Sequence, residues 1–186
     1  MVFNFIETGL MIYDRVVKGA EDIKALKLSK KALLRAYFFE VNTNIELLKV
    51  IDIKKLKTLK VNSPSVFSIA KNLEIQIAAS IVFSDDAAPK ELFEFLSRKG
   101  NVKETGEEAA NQNEQNKTVL QAIDFTLRKI IILQKLSTFK GEEGENIVNT
   151  LRLKTRVENI WENLAFVRSK LLEFNKTENF LLSNEG

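Results

Sequence analysis

Apolar residues recur along this chain at steps of three and four, which places them on single stripes of helices turning once per 3.6 residues. Ile6, Leu10, Tyr13, Val17 and Ala20 predict a first helix over roughly 3–25. A second is predicted to begin after Ser29, whose hydroxyl can accept from a free backbone amide, with Leu34, Phe38, Val41, Ile45 and Leu48 as its stripe. It fades into 53–60. Ser63-Pro64 is the clearest helix start, because proline at the first helical position sacrifices no intrahelical bond. The helix that follows carries Val66, Ile69, Leu73, Ile77 and Ile81 and ends at Ser84-Asp85-Asp86. A short helix fits 89–99, with Gly100 closing it as a C′ residue.

Two late segments carry the strongest patterns. Residues 117–139 are apolar on nearly every face, with Leu120, Ile123, Leu127, Ile130 and Ile131 on one side and Phe125, Ile132, Leu136 and Phe139 on the other. A helix of that kind is surrounded by others, so this one is predicted to be central. After the turn Gly141-Glu142-Glu143-Gly144, a long helix over about 145–174 has Leu153, Val157, Ile160, Leu164, Val167 and Leu171 as its seam. Residues 101–116 break the pattern. They hold almost nothing that anchors in a core, so they read as a mobile polar loop. Residues 175–186 read as a loosely docked tail with Phe180, Leu181 and Leu182 as anchors.

Composition narrows the class. The 186 residues are 45% hydrophobic and 28% charged, with two prolines and seven glycines. A sandwich or barrel needs many more turn signals, so the expectation is one all-α domain, a bundle of five or six helices around 117–139. With no cysteine there is no disulfide framework. The opening residues lack the basic start and long apolar stretch of a signal peptide, and runs such as Ile130-Ile131-Ile132-Leu133 are too short for a membrane span. The expected location is the cytoplasm.

Chemistry is limited mostly by what is missing. Without histidine there is no Ser-His-Asp triad, no histidine zinc site and no Glu-x-x-His di-iron site. Glycine-rich phosphate loops and the EF-hand pattern are absent too. Asp85-Asp86 and Glu142-Glu143 are adjacent acids in turns, a common structural arrangement, so no metal site and no cofactor are expected. Helical ribonucleases of the HEPN class use an arginine followed a few residues later by histidine, and Arg35 has no such partner.

Two sets of residues stand out. Glu40 and Asn44 interrupt a second stripe of their helix, made of Leu33, Tyr37, Leu47 and Ile51. If buried, both need partners. Arg152, Arg156, Asn159 and Asn163 form a polar row of matching spacing, so an inter-helix network from Glu40 to Arg156 or Arg152 is predicted, either fixing helix register or lining a pocket. The densest basic run is Lys54, Lys55, Lys57 and Lys60, with Leu56 and Leu59 interleaved and no aromatic ring to stack on bases. Charge is uneven: residues 1–60 hold 12 Lys and Arg against 7 Asp and Glu, and residues 61–116 hold 5 against 9. By elimination the expected role is a non-enzymatic interaction or scaffold domain whose partner is another protein, with self-association left open. A nucleic-acid-binding accessory domain is the second expectation, and an inactive relative of a helical HEPN-like nuclease or toxin the third.

Overall fold

A computed structural model of the chain describes residues 18–23, 26, 28–51, 64–83, 90–104, 114–137 and 153–181. The described residues are mostly helical, with one small two-stranded ribbon among them. Residues 18–23 are helical and bury Ala20. The further helices are α1 (Lys30–Lys49), α2 (Pro64–Lys71), α3 (Gln76–Val82), α4 (Lys90–Leu96), α5 (Val119–Leu136) and α6 (Leu153–Glu178). The ribbon strands are β1 (Lys99–Lys103) and β2 (Glu114–Thr118). Among the described residues no helix is long and apolar enough to cross a membrane.

Local chemistry sets several of these boundaries. Ser29 caps α1 by accepting from Ala32 N at 3.3 Å. Thr118 and Gln121 form a capping box at the start of α5, each side chain accepting from the other's backbone amide. That box starts α5 two residues later than its apolar pattern predicted and leaves Lys117 in the ribbon. α5 is central as expected: it packs against α2, α3, α4 and α6, and buries Ala122, Ile123, Leu127, Ile130, Leu133 and Leu136. α6 lies along both α5 and α1 with Val157, Ile160, Leu164, Val167, Leu171 and Phe174 inside.

Four expectations change. The helix predicted continuously from 64 to 83 is broken: α2 stops at Lys71, residues 73–75 are non-helical, and α3 starts at Gln76. Lys99 and Gly100 do not end α4 but open β1. The polar stretch 101–116 is not a loop throughout, since 99–103 pairs antiparallel with 114–118, from Lys99 opposite Thr118 to Lys103 opposite Glu114. Residues 105–113 lie outside the described part.

A lone two-stranded ribbon is marginal in water. This one is held by Val102, buried at 2% exposure, and by its seat on α6. Gly100 is essential to that seat, because a Cβ there would lie 2.6 Å from Phe166 Cε2.

The C-terminal stretch is also firmer than expected. α6 continues to Glu178, and Asn179 takes a left-handed φ of 55°, which asparagine tolerates better than most residues. The turn buries Phe180 completely. Arg35 Nε donates to Phe180 O at 2.8 Å, Leu181 N donates to Asn175 Oδ1 at 2.8 Å, and Lys30 pairs with Glu178 at 3.1 Å. Residues 182–186 lie outside the described part.

Candidate functional site

The polar interruption in α1 is buried, as its stripe required: Glu40 is 4% exposed and Asn44 2%. Their described partners are backbone groups of residues 74–78, not Arg156. Asn44 Oδ1 accepts from Glu74 N at 2.7 Å while its Nδ2 donates to Glu74 O at 2.6 Å, so one side-chain amide replaces a strand-like peptide partner. Glu40 Oε2 accepts from Ile77 N at 2.7 Å and Oε1 from Ala78 N at 2.9 Å. These are the first-turn amides of α3 that an N-cap residue ordinarily satisfies, and Ile75 in the cap position has no side chain able to do so. Gln134 of α5 completes the set by donating to Leu73 O at 2.9 Å.

The break between α2 and α3 is thus an elbow stitched by side chains from other helices. A buried backbone group without a partner is costly, and Glu40, Asn44 and Gln134 provide those partners. No glycine or proline lies in 72–75, and Asn72 is the one turn-favouring residue there.

The electrostatics of Glu40 are unusual. Burial pushes its carboxyl up from the ordinary 4.5 to about 7; the amides of Ala78 and Ile77 pull it down, and the charge of Glu74 pushes it up again. Burial also raises the phenol of Tyr37 well above its usual 10, helped by the negative charge of Glu40. The arm of the predicted network from Glu40 to Arg156 does not form, and the arm to Arg152 falls outside the described residues. No ion pair joins Glu40 to Arg156, and Arg156 instead exerts its positive charge on Lys129 of α5. Arg152 lies outside the described residues, as does the whole basic run Lys54, Lys55, Lys57 and Lys60.

A second polar cluster, which the spacing did not reveal as a unit, joins the ribbon to α5 and α6. Glu104 Oε1 accepts from the Lys117 ammonium and from Asn163 Nδ2, the latter at 2.8 Å. Asn163 is fully buried and also donates to Asn159 O at 2.8 Å, but its Oδ1 has no partner. Lys117 and Lys129 lie over the Phe125 ring at 4.1 and 5.1 Å from its centroid. Partial burial and the positive charges of Arg156 and Lys117 lower the Lys129 pKa, while Glu104 opposes them. The available signal was Asn163 itself, a polar residue between Ile160 and Leu164 on an apolar seam. Its partner Glu104 sits in the stretch read as loop.

Glu40 is occupied by backbone amides and Glu104 by an ammonium and an amide. Among the described residues no group of three acidic side chains is placed to hold a metal. A hollow of about 400 Å³ on the outer face of α6 has Ala165, Arg168, Ser169, Leu172, Glu173 and Lys176 along it, with none of the clamp residues among them.

The arrangement defines a helical bundle with a side-chain-stitched elbow and a docked β-ribbon. Compared with known proteins, the chain matches no protein family, no curated protein and no solved structure.

Proposed function

We propose that this chain is a non-enzymatic helical interaction domain that binds another protein through its outer helix faces. One observation carries the reading: α1 commits its inner row to the elbow and to α6, yet presents Phe39 to solvent at 59% exposure. The ring is supported edge-on by Phe38, with centroids 6.1 Å apart. An outward aromatic with a fixed orientation offers a partner large apolar area at little entropic cost. The polar residues in the core support the same reading, since their bonding capacity goes to the protein's own backbone and ribbon.

The test is affinity capture from native lysate, with and without nuclease, using the parent chain and Phe39→Ser. A partner retained after nuclease and lost with a folded Phe39→Ser supports the reading. Capture abolished by nuclease favours the nucleic-acid alternative, and capture unchanged by Phe39→Ser removes α1 from the interface.

A further inference from the structure

Two exposed large apolar side chains lie on α1, Phe39 at 59% and Val50 at 73%. Among the described residues, Phe93 on α4, Leu120 on α5 and Leu172 on α6 each stand singly on their helix. Val50 follows α1 as its C-cap in helical backbone geometry, so the outer face of the helix runs through it. Ala32, Ala36, Phe39, Thr43, Glu46 and Val50 share that face, at steps of four, three, four, three and four. Alternating steps of three and four mark the seam between two packed helices. The inner row of α1, with Leu34, Val41, Ile45 and Leu48, is buried in the core. On the outer stripe Phe39, Thr43, Glu46 and Val50 are exposed, with Ala32 and Ala36 half-buried among them.

The stripe is complementary to itself in one orientation. When two copies of α1 pack antiparallel about a twofold axis between Phe39 and Thr43, every layer sets a large side chain against a small one. Phe39 meets Thr43 of the second copy, Val50 meets Ala32 and Glu46 meets Ala36, and each contact occurs twice. Charge favours the same orientation, because Glu46 then lies beside Arg35 of the second copy. Arg35 is held at the edge of the stripe by its Nε bond to Phe180 O at 2.8 Å. A parallel pair stacks Phe39 on Phe39, Ala32 on Ala32 and Glu46 on Glu46, which leaves a gap at one layer and like charges at another.

We propose that α1 is a homodimer interface, in which two copies of this chain pair antiparallel through the stripe from Ala32 to Val50. The proposal rests on the reading of Phe39 as an interaction residue and names its partner as a second copy. The stripe is about 27 Å long at 1.5 Å per residue. One helix pair of that length buries on the order of 1,000 Å² in total, the low end of specific interfaces, so the dimer is a weak one that forms with rising concentration.

Sedimentation across a concentration series, followed by cross-linking, tests the dimer and its direction. Phe39→Ser should weaken association about tenfold or more, since it removes the central aromatic anchor. Glu46→Lys should weaken it several-fold by setting a like charge against Arg35 of the second copy. Both side chains are exposed, so both variants should melt close to the parent. The chain has no cysteine of its own, so an introduced thiol reports only its own contacts. Ala32→Cys and Val50→Cys are prepared as separate full-length variants and treated with a short thiol–thiol cross-linker. The mixture of the two should give a covalent dimer, and neither variant alone should. Cross-linking by one variant alone to the same extent as the mixture overturns the antiparallel pairing. A parent that stays monomeric overturns the homodimer and leaves Phe39 to a different protein, which capture from lysate reports. A dimer that ignores Phe39→Ser overturns the proposal as well. If capture ignores that variant too, the reading of Phe39 itself falls.

Discussion

Glu40 accepts from two backbone amides of α3, whereas Glu104 accepts from the Lys117 ammonium and the Asn163 amide. Both carboxylates are withdrawn from water, with the Glu104 side chain 11% exposed and Glu40 4%. The difference lies in what compensates the charge. At the ribbon the Lys117 ammonium pairs directly with the Glu104 carboxylate. At the elbow the described partners are two amide dipoles, and burial, with the like charge of Glu74, pushes the Glu40 carboxyl up against them. The ribbon pair ties together segments distant in sequence and leaves one acceptor, Asn163 Oδ1, unsatisfied. At the elbow, both oxygens of Glu40 and the whole side-chain amide of Asn44 have backbone partners. Two acids withdrawn from water are thus bonded differently: Glu104 to an ammonium and a side-chain amide, Glu40 to backbone amides.

The largest expected effect breaks the ribbon side. Lys117→Met removes the ammonium paired with Glu104 and leaves the more distant Lys129 as its described positive neighbour, at a cost of up to about 3 kcal/mol. The double variant Lys117→Met, Glu104→Leu should recover a large part of that loss, since no orphaned charge remains. Denaturant melts of the four proteins measure it. A double variant as unstable as the sum of the singles would mean that the pair does not fasten the ribbon.

The next effect is the pH response of the elbow. The Glu40 carboxyl is raised in the fold, from 4.5 to about 7. The folded state therefore holds a proton that the unfolded chain has already released, and stability falls as pH climbs between those values. The shift corresponds to a loss on the order of 3 kcal/mol, complete once pH exceeds 7. Melts across that window should show the decline in the parent and not in Glu40→Gln. A decline that persists in Glu40→Gln assigns it to another group.

The smallest effect sharpens the comparison by its absence. Glu40→Leu and Arg156→Met should destabilise independently, with a coupling below about 0.5 kcal/mol in a double-mutant cycle. Arg156 exerts its charge toward Lys129, and Glu40 answers to Glu74 and two amides. A coupling of several times that size would restore a direct link between α1 and α6.

How far the sequence was legible differs between the same two regions. The stripe of α1, its cap at Ser29 and the seam of α6 were all visible, because each depends on periodicity or on a neighbour within four residues. So was the demand that Glu40 and Asn44 find partners. Their partners were not visible, because backbone amides at 74–78 leave no residue-type signature, whereas an arginine row at matching spacing does. The ribbon was missed for a related reason: Glu114-Gln115-Asn116-Lys117-Thr118 has no apolar alternation, and its order comes from pairing with β1 and from α6 beneath.

By itself, the sequence determined the helical class, the helix stripes and the central place of α5, since hydrophobic periodicity acts within each segment. The tertiary structure decided the elbow, the ribbon and the state of Glu40. Segment 64–83 suits one unbroken helix, and only side chains from α1 and α5 make a bend tolerable by satisfying the backbone groups it frees. The raised pKa of Glu40 is likewise a property of its surroundings, because dryness and a like charge are supplied by residues far from it in the chain.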